Sequence, residues 1–201
     1  MTSARRVLLL APVLLLASCA SSPPAKFFTL APTTASAASA AAAASAAPVQ
    51  VTAVHIPPAL DRQQIVRQSG ANELEISDRN RWAAPFAEMT QRVLTQDLAA
   101  RRPHGSVILP KEPAPPMTGM IVVDILQFAC DPSGKVVFDG AWALVPAGTE
   151  APSLNRRVHL TETASPGDYG DQVRAMSTIL GQLADDIAMA LAGSTRGQAA
   201  R

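Results

Sequence analysis

The chain is poor in the residues that most protein chemistry needs. Of its 201 residues two are cysteine and three histidine, and aromatics make up 4%. Two cysteines build neither a disulfide framework nor a four-ligand zinc site. A formal net charge of +1 lacks the Lys/Arg excess with which a broad basic surface holds nucleic acid. No apolar run approaches the roughly 20 residues of a membrane-crossing helix, which excludes a polytopic membrane protein. There is no Gly-rich phosphate loop, no GxSxG elbow and no HExxH pair. With so few rings the core must be mostly aliphatic. What is abundant is alanine: the hydrophobic fraction of 48% and the mean hydropathy of +0.14 owe much to a leader and to one alanine tract. The length suits one compact domain plus extensions, at roughly 100–200 residues per domain.

The leader carries the first positive signal. Arg5 and Arg6 precede an apolar stretch from Val7 to Leu16, and Leu16-Ala17-Ser18-Cys19 follows. A charged start, a short apolar region and small residues before a cleavage point describe a secretory signal. Its ending in cysteine resembles the bacterial lipobox. That resemblance implies cleavage between Ser18 and Cys19, thioether lipidation of Cys19 and acylation of the new amino terminus. The alternative is an ordinary signal peptide with a chance cysteine. The rest of a twin-arginine motif is missing, so the general secretory route is expected. Cleavage removes two arginines and no acid, taking the formal charge from +1 to −1. One acyl chain anchors marginally, whereas several on one cysteine keep a protein on its membrane. Ala20, where Asp favours inner-membrane retention in enterobacteria, points to the outer membrane, with the inner membrane as the alternative. Cys130 is then the one remaining thiol, and its place at the end of an apolar run reads as a small buried hydrophobe more than a nucleophile.

Along the chain the reading gives residues 1–18 as signal peptide, 19–48 as a lipidated tether, 49–193 as the folded domain and 194–201 as a polar tail. Within the tether, Phe27 to Leu30 is a β-prone run suited to an edge strand. Ala31 to Pro48 is low-complexity Ala/Ser/Thr/Pro sequence with no large side chain to bury; it becomes an insertion between two strands if Phe27–Leu30 joins the sheet. A strand from Val49 ends at Pro57-Pro58. Gln64–Gln68 and Glu73–Ser77 flank a glycine-containing turn and read as a hairpin. Pro85 suits a helix start; Phe86, Met89, Val93, Leu94 and Leu98 repeat at helical spacing, and Arg101-Arg102 complement the negative helix end before Pro103. Strand runs follow at Val107–Leu109, Met120–Cys130, Lys135–Val145 and Leu154–Thr161. Met120–Cys130 has hydrophobes on both faces, which suits a sheet covered on both sides or the centre of a core. Tyr169, Val173, Met176, Leu180, Leu183, Ile187 and Leu191 make one apolar stripe, with Asp185-Asp186 off it as a solvated face and Gly193 as the stop. The predicted fold is α/β (α+β): two main helices packed on a mixed, largely antiparallel sheet.

No catalytic residue, metal or cofactor emerges; His55, His104 and His159 are isolated from one another. The candidate contact residues are Asp61 and Arg62 at a strand-to-strand corner, with Arg81 and Trp82 just ahead of a helix. Loops carry function more often than cores do, and Trp and Arg are enriched at interface hot spots. The structural alternative is that Asp61 caps a turn and Trp82 staples the helix.

The lipobox, Phe27-Phe28-Thr29-Leu30, Ile56-Pro57 with Leu60-Asp61-Arg62-Gln63-Gln64-Ile65-Val66, and Arg81-Trp82-Ala83-Ala84-Pro85 together resemble the ABC-type transport auxiliary lipoprotein family. A looser match runs from Tyr169 to Leu191 through Ala184-Asp185-Asp186-Ile187-Ala188. The family usually has Glu where Ala84 stands and often Leu where Phe86 stands, and the alanine tract looks like an insertion. The resemblance implies a non-enzymatic periplasmic component that works beside mammalian-cell-entry (MCE) domain proteins and an ABC transporter moving lipids between the two membranes. It implies a lipid-anchored homo-oligomer at the outer membrane that receives or docks the transport path and supports membrane integrity, with no nucleic-acid partner. The alternative function is a carrier holding an apolar ligand in its own cavity.

Overall fold

The computed structural model describes residues 23–34 and 46–199, with side chains through residue 193. The signal segment 1–18, the Cys19 attachment point and most of the alanine tract lie outside these residues. Eight strands and two helices follow in the order β1 (Lys26–Phe28), β2 (Val49–His55), β3 (Gln64–Gly70), β4 (Glu73–Trp82), α1 (Phe86–Arg101), β5 (Val107–Ile108), β6 (Gly119–Cys130), β7 (Lys135–Val145), β8 (Leu154–Thr163) and α2 (Tyr169–Ala199).

The strand with most neighbours is β6. One of its edges pairs antiparallel with β7 from Met120 to Cys130, and β7 pairs antiparallel with β8. Its other edge is shared end to end. β2 runs parallel along Gly119 to Asp124, and β3 takes over at Arg67↔Cys130. Pro57-Pro58 makes this break, since prolines cannot donate to a ladder. β5 lies parallel outside β2, β4 antiparallel outside β3, and β1 parallel outside β4. The sheet is mixed, its longest ladders are antiparallel, and two helices pack on it, as predicted; both lie on one face. β1 does join the sheet, as an edge strand.

The core confirms the helical stripes. Phe86, Met89, Val93, Leu94 and Leu98 of α1 meet Met176, Leu180, Leu183 and Ile187 of α2, with Ile121, Val123, Phe128, Phe138 and Trp142 beneath them. Phe86, Phe128 and Phe138 form a chain of ring contacts, with centroids 5.8 Å and 5.3 Å apart.

Three local expectations are corrected. β4 runs on to Trp82 rather than ending at Ser77, so Arg81 and Trp82 sit in a strand and not a loop. An irregularity between the Gln64↔Arg81 and Val66↔Ile76 pairs lets the strand resume. α2 continues through Gly193 to Ala199; a glycine in a helix costs only about 1 kcal/mol against alanine, which does not end a helix by itself. Asp185-Asp186 are not a solvated face. Asp186 accepts from Trp142 Nε1 at 2.9 Å and from Arg156 at 2.7 Å, and Asp185 receives both Nε and Nη2 of Arg101 at 2.8 and 3.2 Å. Arg101 stands in the last turn of α1, as expected, and is 3% exposed.

Arg101 ties the helices to the segment after β1. Asp97 Oδ1 accepts from the Thr33 N–H at 2.7 Å and the Thr33 hydroxyl at 3.0 Å, while Arg101 Nη1 donates to the Asp97 carbonyl at 3.0 Å. Ala31 N–H donates to Ser177 Oγ at 3.2 Å. The strap formed by residues 31–34 therefore lies across both helices. Burial pushes the Asp97 carboxyl above the usual range, against the opposing pull of Thr33 and Arg101. Gly181 leaves room for this strap: a Cβ there would stand 2.2 Å from Thr33 Oγ1 and 3.1 Å from Arg101 Nη2. Replacing a mid-helix glycine by alanine ordinarily stabilises by about 1 kcal/mol. Here Gly181→Ala is expected to have the opposite sign, lowering the melting temperature by displacing Thr33, as thermal denaturation would read.

Candidate functional site

Asp61, Arg62, Arg81 and Trp82 are far apart in sequence but meet at one corner, because β3 and β4 pair there. The N–H groups of Leu60 and Asp61 both donate to the Pro57 carbonyl, at 2.8 and 3.0 Å, which folds Pro57–Asp61 into a tight turn with Leu60 buried beneath it. Trp82 N–H donates to the Gln63 carbonyl at 2.7 Å, and Ala83 N–H to the Phe28 carbonyl at 2.8 Å. The corner thus joins β1, β3, β4 and the start of α1.

The four residues take different roles. Trp82 is 3% exposed and stacks on Phe86 at 4.7 Å with the rings 10° from parallel. It is a core staple and is not displayed to a partner, because its place in β4 turns it to the helix-covered face. Asp61 Oδ1 accepts from Ala87 N–H at 3.4 Å. α1 begins at Pro85 with no cap from its own side chain, so this carboxylate reaches across from the turn to an unpaired donor at the positive helix end. Arg62 is exposed. Arg81 is half-buried; Nη1 donates to Gln63 Oε1 at 3.4 Å, and Nε is buried without a partner.

Sequence reasoning missed a second surface. The helix-free face of the sheet is open among the described residues, so of the two readings for Met120–Cys130 β6 takes the central place and not the two-sided cover. Leu126 is 75% exposed and Met120 39%, and by register Leu74 and Ile76 of β4 face the same way, also exposed. Two cross-strand pairs punctuate it: His55 Nδ1 with Asp124 Oδ1, and His159 Nδ1 with Asp139 Oδ1, each at 2.7 Å. Between them Leu126, Gly140, Ala141, Arg157 and Val158 help line an open groove of about 460 Å³. Gly140 permits the close approach of β6 and β7 here, since a Cβ would lie 2.5 Å from the Asp124 carbonyl oxygen. The signal available in sequence was Met120, Val122 and Leu126 recurring on the face opposite Ile121, Val123 and Ile125.

Cys130 belongs to the other face. It is buried in the core, opposite Arg67 on β3, and burial pushes its thiol up. Arg67 stacks 3.5 Å over the Tyr169 ring and donates through Nε to Gln172 Oε1 at 2.6 Å. His55 and His159 lie across the sheet from Cys130, so the topology separates the thiol from both. No group of three or more His, Cys, Asp or Glu side chains suited to a metal occurs among the described residues.

The arrangement is that of a two-layer α/β body with an inert thiol and an open apolar sheet face, a geometry suited to binding. Residues 28–188 match the model of the ABC-type transport auxiliary lipoprotein component, and the chain belongs to that family. Two crystal structures share the fold. One, of a protein of uncharacterised function, is 19% identical with a TM-score of 0.69, over 84% of this chain and 99% of that one. The other, a Xanthomonas campestris protein of the DUF330 family, is 14% identical with a TM-score of 0.69, over 86% and 99%. No curated protein sequence matches the chain significantly.

Two outcomes test the corner and the thiol. Asp61→Ala is expected to lower stability by about 0.5–1 kcal/mol, the small end of the range for a lost helix cap, in urea melts. Arg62→Ala should stay within about 0.5 kcal/mol of the parent chain. Alkylation of Cys130 at mildly alkaline pH should be slow in the folded protein and fast in urea, because the reactive form is the thiolate and burial disfavours it.

Proposed function

We propose that this protein is a non-enzymatic, lipid-anchored periplasmic subunit of an MCE/ABC-type lipid transport system between the inner and outer membranes. It is held through Cys19 at the periplasmic face of the outer membrane, assembles as a homo-oligomer, and docks its partners through the helix-free face of the sheet, so supporting membrane integrity. Membership of an auxiliary lipoprotein family supports the transport role. The observation that carries the docking role is the open sheet face around Leu126 and Met120. A monomeric surface that exposes a contiguous apolar patch commonly marks an interaction site. The His55–Asp124 and His159–Asp139 pairs and Arg157 are interspersed with these hydrophobes and supply directional contacts among apolar ones. Carriage of a lipid within the body has less support, because the space between sheet and helices is filled by Trp82, Phe86, Phe128, Phe138 and Trp142.

Crosslinking of the intact lipoprotein in membranes, followed by capture, is expected to recover an MCE-domain protein and copies of the chain itself. Leu126→Glu should reduce partner recovery about tenfold, equivalent to about 1.4 kcal/mol of binding, with an unchanged melting temperature because Leu126 is outside the core. A monomer that captures no partner would count against the docking role.

A further inference from the structure

β1 is an edge of the sheet, paired on one side with β4. Exposed edges are normally kept short and charged; this one is three residues long, opens with the exposed Lys26, and then presents Phe27 with 61% of its surface in solvent. By register Phe27 lies beside Arg81 and Phe28 beside Trp82. Trp82 is on the helix-covered side, so Phe27 and Arg81 share the other. Arg81 is only weakly committed within the fold, through its 3.4 Å contact with Gln63. Arg62 stands exposed in the turn ahead of β3. The acid of that turn, Asp61, is directed at the start of α1. One exposed ring therefore shares its face of the sheet with the Arg81 side chain, while Lys26 stands one strand step before it at the same edge and Arg62 is exposed in the turn ahead of β3. An aromatic with nearby Lys and Arg is the pattern that settles at a membrane–water interface.

We propose that the β1 edge lies on the bilayer surface, with Phe27 in the interfacial layer and Lys26, Arg62 and Arg81 against anionic lipid headgroups. The inference rests on the anchoring of Cys19 and goes beyond it by orienting the domain. Cys19 and Lys26 are seven Cα steps apart; at about 3.3–3.6 Å per step the chain between them spans at most about 25 Å. That leash is shorter than a domain of this size is wide, so it keeps β1 within about 25 Å of the membrane. Juxtamembrane cations are drawn to anionic lipid within about a Debye length of the surface, a distance this tether allows the β1 edge to reach.

The test uses the full-length lipoprotein in vesicles of phosphatidylethanolamine and phosphatidylglycerol that contain lipid brominated high on the acyl chain. Phe27→Trp places a reporter at the edge. Asn155→Trp, exposed on β8 across β6 and β7 from β1, is the control, and the buried Trp82 and Trp142 give a background read from the parent chain. The Phe27→Trp signal is expected to shift to the blue and lose intensity to bromine, with no such loss for Asn155→Trp. The loss should shrink when uncharged phosphatidylcholine replaces the anionic lipid. Vesicle flotation and the mass of the amino-terminal peptide report the anchor separately. A chain that floats with acylated Cys19, yet shows no more quenching at Phe27→Trp than at Asn155→Trp, overturns this orientation and leaves the anchor standing. An unmodified Cys19 without flotation overturns both. Shielding of Phe27→Trp by an added partner protein, with none from vesicles, assigns the edge to strand addition and also overturns the proposal.

Discussion

The fold depends on one guanidinium. Arg101 reaches Asp185 on α2 through two hydrogen bonds, holds the Asp97 backbone on its own helix, and lies 3.3 Å from the Thr33 hydroxyl on the strap. Three segments with no sequence proximity converge on it. Taking such charges out of water costs several kcal/mol per ion, and the attraction between them repays this only when geometry and further hydrogen bonds are good. Here this holds for the Arg101–Asp185 pair, which is bidentate, and in part for Asp97, whose Oδ1 has two donors from Thr33 while its buried Oδ2 has no partner. The consequence is specificity of arrangement. The strap must pass where Thr33 meets Asp97, Gly181 must stay bare to admit it, and β1, just upstream of the strap, is thereby fixed on the edge of β4.

That constraint explains which parts of the molecule were legible in sequence. The apolar stripes of α1 and α2 and the order of strands follow from periodicity, because burying a face of an amphipathic element is a local requirement of the sequence. The same counting places every charge outside, and so assigns Arg101 to a helix end and Asp185 and Asp186 to solvent. A charge that is inside because a partner arrives from another element leaves no periodic trace. β4 was read short for a related reason: Ser77 to Asn80 lacks strand character, and the ladder resumes only because Phe27, Phe28 and Gln64 present partners to Arg81 and Trp82.

At the candidate site, sequence reasoning finds the right neighbourhood, and for Trp82 it is the stapling alternative that the structure shows. Asp61, Arg62, Arg81 and Trp82 do come together. Yet the residue type most enriched at hot spots, Trp82, is the one the strand turns inward. Composition cannot separate a displayed tryptophan from a stapling one, since the difference is a single step of the two-residue strand period. The open sheet face escaped for the converse reason. Hydrophobes on both faces of β6 satisfy a covered sheet and an exposed interface equally, and only the placement of both helices on one side decides between them.

The two surfaces share the helix-free face of the sheet and are compatible because they lie far apart on it. β1 and β8 lie at opposite edges of the sheet with β4, β3, β6 and β7 between them; at about 4.8 Å per strand spacing that separation is on the order of 24 Å. On the proposed anchoring, a domain resting on its β1 edge tilts that end of the helix-free face toward the bilayer to seat Phe27. Leu126 and Met120, farther along the sheet, then stay within reach of copies of the chain or a transport partner. Had the proposed anchor entered beside Leu126 or Met120, the same apolar side chains would be covered by headgroups and lost to the docking proposed for them. The strap determines this choice, because Asp97 and Arg101 hold the segment that leads from the tether at the edge farthest from β8.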